Sequence, residues 1–243
     1  MTNAADVVVW SADVKESVLD GWSLRDDMPL RYIKLARPEL RRMGDRKIKQ
    51  LQDRGFQVFA DTKLIGVPRE IMEMAEEFYF PLRPWMLGVM AGGSSTGLLE
   101  HEDVTKVEAL KRFADACRKV GTKSCGVTLL TSKSEEMALL EFGRTSTAQV
   151  LVYAEMLVNA GFTDIVCSPL EAARLRQDSF FDSLTINTPG IRLLGTDVRD
   201  QSRIETPAGA IAAGADRLII GSNLTDGNLI ENFNRIAENL NGK

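Results

Sequence analysis

Short apolar runs alternate with amphipathic stretches along the whole chain. Eight runs have the length and composition of buried strands, namely 7–10, 31–34, 56–61, 85–91, 125–130, 164–167, 183–187 and 217–221. Between them the apolar spacing predicts helices over 39–54, 69–78, 104–120, 145–160, 169–177, 207–213 and 227–240. Strands that alternate with helices in this way indicate parallel β-α units. Eight is also the number of strands at which a parallel sheet closes into a barrel.

The predicted fold class is therefore α/β, a single-domain (β/α)8 TIM barrel that takes up residues 1–243. The length suits that fold, which commonly needs about 250 residues. No linker, low-complexity tract or short repeat interrupts the pattern. An open doubly wound sheet is the alternative, but it normally has fewer strands and a glycine-rich first turn, and the first turn here has no glycine.

Charged residues cluster at the predicted carboxyl ends of the first three strands. Side chains alternate along a strand, so Asp61 and Lys63 should point to the same side where the third strand ends. Taken alone, this pair would be an ion pair that closes off a strand. The ends of other predicted strands add further polar groups at the mouth of the barrel, where such barrels carry their chemistry: Asp13, Lys34, Thr131 and Ser132. The sequence predicts an array of alternating charges at this mouth.

Composition excludes several other classes of function. The net charge is −4, which leaves no basic surface for nucleic acid. No apolar run approaches the roughly 18 residues of a membrane helix, and no basic-then-apolar leader begins the chain, so we expect a cytoplasmic protein. The three cysteines lack metal-site spacing and suit packing. With His101 as the one histidine, no multi-histidine metal site is predicted.

Six blocks of sequence, in their order along the chain, resemble the orotidine 5'-phosphate decarboxylase family. Two lie early, at 32–40 (YIKLARPEL) and 55–63 (GFQVFADTK). Four lie late, at 188–192 (TPGIR), 200–203 (DQSR), 206–216 (TPAGAIAAGAD) and 219–221 (IIG). The late series is specific, whereas the D-x-K of the third strand is weak by itself. The resemblance covers nearly the whole chain and implies the barrel fold.

The resemblance also implies an activity and a role for each matching residue. The family converts orotidine 5'-monophosphate to UMP without a cofactor or metal, and its members are homodimers. The matching catalytic array is Lys34, Asp61 and Lys63, with Lys63 as the proton donor to C6 of the pyrimidine. The matching substrate contacts are Asp13 at the ribose, Thr131 at the pyrimidine or ribose, Arg192 and Gln201 at the phosphate, and Gly221 at the end of the last strand.

Three positions depart from the family pattern. Gly66 stands where the family has a second aspartate, which reaches the partner subunit's site; Ser222 replaces a phosphate-binding arginine, and Met90 replaces a histidine. With one carboxylate fewer, we expect the pKa values of the array's lysines to be lowered. We also expect slower turnover of orotidine 5'-monophosphate than is typical of the family.

These departures keep two other functions open. One is a related lyase that acts on another nucleotide or an unphosphorylated pyrimidine. The other is a ligand-binding barrel that has lost its activity, although such a protein has little use for the lysine and aspartate array. Residues that could replace the lost charges include Arg69, Arg199 and Arg203.

Overall fold

Eight parallel strands form one closed barrel, in which each strand pairs with its neighbours in chain order and β8 pairs with β1. The computed structural model describes residues 2–92, 103–193 and 205–242, with side chains from residue 107 in the second range. The strands are β1 Val8–Ser11, β2 Tyr32–Ala36, β3 Gln57–Leu64, β4 Met86–Met90, β5 Lys123–Val127, β6 Asp164–Val166, β7 Thr185–Thr188 and β8 Arg217–Ile220. The predicted (β/α)8 barrel is confirmed.

Helices surround the barrel: the seven predicted ones are present, and the described ranges hold four short helices that were not predicted. They are α1 Ala4–Val7, α2 Glu16–Ser23, α3 Arg37–Asp53, α4 Pro68–Met74, α5 Asp103–Val120, α6 Glu135–Phe142, α7 Ser146–Asn159, α8 Pro169–Leu175, α9 Pro207–Ala212, α10 Ser222–Thr225 and α11 Leu229–Leu240. After α4 the chain continues as a π-helical turn, Ala75–Tyr79, and short 3-10 turns cover Phe80–Leu82 and Ser179–Phe181. No helix in the described ranges is long and apolar enough to cross a membrane.

Two strand ends differ from the prediction in ways that matter for the site. β3 continues three residues beyond the predicted end at Asp61, so Lys63 lies within the strand. β5 ends at Val127, so Thr131 and Ser132 lie in the loop that follows it and not at a strand end. Leu129 in that loop is buried, which explains why the apolar run extends past the strand.

Apolar side chains pack in two layers. The larger layer fills the space between strands and helices, and a smaller group fills the barrel itself: Val9, Phe59, Met86, Cys125 and Ile219. This is a packed interior and not a pore, as the fold requires.

Polar and aromatic side chains close the barrel at the amino-terminal ends of the strands. We call Tyr32, Trp85, Asp164 and Arg217 the floor. Arg217 Nη1 lies 2.8 Å from Oδ1 of the fully buried Asp164, and the guanidinium lies 4.9 Å from the centre of the Trp85 ring. The rings of Tyr32 and Trp85 are 4.6 Å apart. The floor leaves the opposite end, where the strands finish, as the open end of the barrel.

Candidate active site

Two lysines share one buried carboxylate at the open end. Lys34 comes from β2 and Asp61 from β3, where the sheet register sets Ala36 opposite Asp61. Lys34 Nζ lies 3.1 Å from Asp61 Oδ2, and Lys63 Nζ donates to the same oxygen at 2.6 Å. The expectation that Asp61 and Lys63 point to the same side is therefore confirmed. Side-chain exposure is 9% for Lys34 and 6% for Asp61, so water screens this ion pair weakly.

A second carboxylate extends the array toward β1. Asp13 Oδ1 lies 3.6 Å from Lys34 Nζ, and Ser11 Oγ donates to Asp13 Oδ2 at 2.7 Å. Lys34 thus lies between Asp61 and Asp13, with Lys63 on the far side of Asp61. Charges alternate along the four groups, as the sequence predicts.

The pKa values show which interactions dominate. Burial alone would lower the pKa of Lys34, but the carboxylates of Asp61 and Asp13 outweigh it and raise that pKa above its ordinary value. Burial would likewise raise the pKa of Asp61, but Lys34 and Lys63 lower it below its usual range. The expected lowering is therefore wrong for Lys34, because Asp13 supplies the second negative charge that Gly66 does not. Both groups are charged at neutral pH.

The backbone at Lys63 adopts an unusual conformation. Its φ is +45°, in the left-handed region that L residues avoid, and the register between β3 and β4 shifts between Ala60 and Leu64. Such a conformation costs on the order of 1–3 kcal/mol and persists only where surrounding contacts hold it. The unusual conformation coincides with a lysine that the sequence predicts to be catalytic.

Two neighbouring cavities open beside the array. The smaller, about 210 Å³, has a polar side and apolar walls. The larger, about 540 Å³, lies toward β1, β7 and β8. Pro189 and Ile219 line both, so the two cavities adjoin. The polar side of the smaller cavity consists of Lys34, Asp61, Lys63, Thr131 and Ser132.

The predicted substrate contacts divide between these cavities. Thr131 lines the smaller cavity, whereas Asp13, Arg192 and Gly221 line the larger one. Gln201 lies outside the described residues, as do Arg199 and Arg203. Arg69 lies on α4, pairs with Glu73 at 3.6 Å and is not among the residues that line these cavities.

The sequence interpretation missed one cation of the larger cavity. Lys15 lines it from the loop between β1 and α2, and Ser222 lines the same cavity. Among the residues that the structure describes, Lys15 has no ion-pair partner, whereas the neighbouring Glu16 pairs with Lys47 at 3.1 Å. Its one signal in the sequence is its place two residues after Asp13, where the first strand ends.

The other two departures from the family pattern are not among the residues that line the two cavities. Gly66 has φ +152°, and a Cβ atom built there would lie 2.8 Å from Glu70 Oε2. Met90 is the last residue of β4.

Asp61 Oδ1 is buried and has no hydrogen-bond partner among the described residues. The carboxylate thus uses one oxygen for both lysines.

The described residues contain no group of three or more histidine, cysteine, aspartate or glutamate side chains that could hold a metal ion. The three cysteines are buried in the core. Burial raises the pKa of Cys117 to about 12, so this thiol stays protonated. That supports the packing role predicted for it.

Comparison with known proteins gives the same family from several directions. The model of the Orotidine 5'-phosphate decarboxylase / HUMPS family matches residues 32–228. An orotidine 5'-phosphate decarboxylase of Pasteurella multocida is 34% identical over 201 residues, which cover 82% of this chain and 81% of that protein. One from Actinobacillus succinogenes is 33% identical over 214 residues and covers 86% and 87% of the two chains.

The fold agrees with a solved structure as well. The crystal structure of orotidine 5'-phosphate decarboxylase from Lactobacillus acidophilus superimposes with a TM-score of 0.75 at 24% identity, over 98% of this chain and 99% of that one. At this identity the superposition supports the barrel alone. The sequence matches cover most of this chain and of each relative, and the range of the family model includes β2, β3 and the late blocks. The chain therefore belongs to the orotidine 5'-phosphate decarboxylase / HUMPS family.

Proposed function

We propose that the protein decarboxylates orotidine 5'-monophosphate to UMP without a cofactor. The observation that carries this proposal is the Lys34–Asp61–Lys63 array, which lines the smaller cavity directly beside the larger one. A pyrimidine in the smaller cavity would place its C6 carboxylate near Asp61 and Lys63. The family membership supports the same reaction.

The array suits a reaction that leaves an electron pair on carbon. When the bond from C6 to the carboxylate breaks, CO2 departs and the pair stays on C6. The Lys63 ammonium, held by Asp61 at 2.6 Å, stabilises that charge and then delivers its proton to C6. Lys63 becomes a neutral amine and regains a proton from solvent. Because the charges are in place before substrate arrives, little reorganisation is needed.

Asp61 fits a second role. It is ionised and buried, and its Oδ1 has no hydrogen-bond partner among the described residues. A substrate carboxylate placed beside it would meet a like charge that disappears when CO2 leaves. Binding of the distant phosphate would supply the free energy for this placement.

We propose that Lys15 and Arg192 together bind the substrate phosphate. Both line the larger cavity, and Lys15 supplies a positive charge where Ser222 lacks one. An ammonium binds phosphate as a point charge, without the two parallel hydrogen bonds of an arginine. This weaker grip supports the expectation of slower turnover than is typical of the family.

The test of the reaction is the ultraviolet loss of orotidine 5'-monophosphate with the native protein and with Lys63→Ala, in metal-free buffer. We expect decarboxylation by the native protein and a loss of about 10³-fold in kcat in the variant, as for removal of a general acid. Lys49→Ala, at an exposed position of α3, is the control. A native protein that leaves the substrate intact would refute the proposal, as would a fully active Lys63→Ala.

The test of the phosphate site is the affinity for UMP compared with uridine, measured by calorimetry. Lys15→Ala should weaken UMP binding about 10-fold, the effect of losing one charge-assisted contact. Uridine binding should not change, and Lys15→Arg should retain UMP binding. An equal loss for both ligands would mean that Lys15 does not contact phosphate.

A second candidate function comes from Ser222, which lines the larger cavity in place of an arginine. That substitution favours a related lyase whose substrate is another nucleotide or an unphosphorylated pyrimidine. In that case uridine or the free base would bind as tightly as UMP. Lys63 would remain the acid.

We infer a homodimer that forms through the face around the β3–α4 loop. Ile65 and Phe78 expose 60% and 55% of their surfaces there, and Val67 and Met74 are also exposed. Met74 is the last residue of α4, and Phe78 lies in the π-helical turn that follows it. The family brings this loop to the partner subunit, so a second copy of the chain is the occupant that fits.

A further inference from the structure

The segment that carries Lys63 begins just after the last residue of β3 that pairs with β2. β2 pairs with β3 as far as Ala36 and Asp61, and α3 begins at Arg37. The backbone of β2 therefore provides no donors for the carbonyls of Thr62 and Lys63. This is also where φ of Lys63 is +45°. Something else must hold the segment in this conformation.

The Arg37 side chain supplies the hydrogen-bond donors that the β2 backbone does not. Its Nε and Nη2 donate to the Thr62 carbonyl at 2.9 and 2.7 Å, and Nη2 also donates to the Lys63 carbonyl at 2.7 Å. From the other side, the Thr62 hydroxyl donates to the Gly88 carbonyl at 2.5 Å. Thr62, the residue before Lys63, is thus held from one side by Arg37 at the start of α3 and from the other by Gly88 of β4.

We propose that Arg37 is a positioning residue for Lys63. Its guanidinium holds the two carbonyls that flank the left-handed turn, and the turn directs the Lys63 ammonium onto Asp61. Arg37 is not among the residues that line the two cavities, so it acts through the main chain and not by contact with substrate. A planar guanidinium suits this because its donors lie in a fixed fork. The inference rests on the proposed function, since it concerns the same lysine.

The chain contains a matched control at the other end of the same helix. Arg54, just after α3 ends, donates from Nε to the Ser23 carbonyl and from Nη2 to the Leu24 carbonyl, each at 2.9 Å. The two arginines therefore make the same kind of contact, with two successive carbonyls. Arg54 lies at the opposite end of α3 from Arg37 and is absent from both cavity linings.

The experiment compares full-length Arg37→Ala, Arg37→Lys and Arg54→Ala for kcat, KM and UMP affinity. We expect Arg37→Ala to lose about 10²-fold in kcat, the usual effect of misplacing a reacting group by about 1 Å. Its KM and UMP affinity should change less than about threefold. Arg37→Lys should recover part of kcat, because an ammonium can still donate to a carbonyl. Arg54→Ala should match the native protein in all three.

A second measurement is independent of turnover. Hydrogen exchange of the amides over residues 62–65 should be faster in Arg37→Ala than in the native protein, and unchanged in Arg54→Ala. Native kcat in Arg37→Ala, or an equal loss of kcat in Arg54→Ala, would overturn the proposal. If the native protein does not decarboxylate orotidine 5'-monophosphate, the proposed function fails. The exchange measurement then decides alone, and unchanged exchange would overturn the role of Arg37.

Discussion

Asp61 Oδ2 joins the two lysines of the array, because the ammonium groups of Lys34 and Lys63 both form ion pairs with this oxygen. Removing the charge of Asp61 would leave the buried Lys34 with only Asp13, at 3.6 Å and half exposed. A buried charge that loses its partner strongly lowers the free energy of unfolding, whereas an exposed ion pair contributes little to it. Stability and the proposed chemistry therefore depend on the same carboxylate.

We predict that Asp61→Asn lowers the free energy of unfolding by about 3–5 kcal/mol at pH 7. The folded pKa of Asp61 is lowered, so its contribution is complete above the unfolded value of about 3.9 and is lost as pH falls through the folded pKa. The difference between native and variant should accordingly shrink below about pH 3.9. Urea unfolding at several pH values measures it.

Asp45→Asn is the control for that measurement. Asp45 is exposed on α3, and its replacement should change stability by less than about 0.5 kcal/mol. If Asp61→Asn were as stable as native at pH 7, or if the difference did not depend on acid pH, the carboxylate would not be the stabilising partner that we infer.

Single residues were predictable where a local rule applies. The alternation of side chains in a strand predicted that Asp61 and Lys63 lie together. Lys34 and Asp13 were predicted at the ends of β2 and β1; Lys34 lies within β2 and Asp13 lies two residues after β1, yet both reach the open end of the barrel. Arg37 contacts the carbonyls of Thr62 and Lys63, which follow it by 25 and 26 residues in the sequence. No periodicity connects positions so far apart, so the sequence did not predict this contact. The raised pKa of Lys34 depends on a distance to Asp13 that only the folded chain supplies.

At the level of elements, the strands were easier to predict than the helices. Strands of a parallel barrel are buried on both faces and give continuous apolar runs. Helix α6 was missed because Met137, Leu139 and Leu140 are all exposed, at 50%, 48% and 76%, so its apolar residues form no buried stripe. α2 was missed as well: it has only eight residues, about two turns, so its apolar spacing repeats too few times to predict a helix.

The β3–α4 loop cannot simply regain the family aspartate. We predict that Gly66→Asp destabilises the protein by about 1–3 kcal/mol, the usual cost of a strained backbone conformation. Its φ of +152° disfavours a side chain, and the new Cβ would lie 2.8 Å from Glu70 Oε2. Thermal and urea unfolding measure the change.

Glu70→Ala separates the two causes. The carboxylate of Glu70 is the free end of an exposed, flexible side chain and can move away, so Gly66→Asp should cost nearly as much in that background, and the backbone conformation accounts for most of the loss. A Gly66→Asp protein as stable as native would show that the loop readily changes conformation.

For the whole molecule, the exposed apolar face predicts a mass in solution of twice the 26.9 kDa chain. Light scattering after size exclusion measures it. Phe78→Glu should shift the protein toward the monomer, because a charge would be buried without a partner in the interface. Leu140→Glu, at a more exposed apolar residue on α6, should leave the mass unchanged. A native monomer at micromolar concentration would contradict the homodimer.

The floor of the barrel has a consequence for molecular traffic. Because Arg217 and Asp164 are paired beneath the rings of Tyr32 and Trp85, nothing passes through the barrel from end to end. The mouth is at once the entrance and the exit. A product that keeps its phosphate must leave by the route along which the next substrate arrives. Under the proposed function, UMP would leave through the same opening by which orotidine 5'-monophosphate enters. The next substrate could therefore bind only after UMP has dissociated.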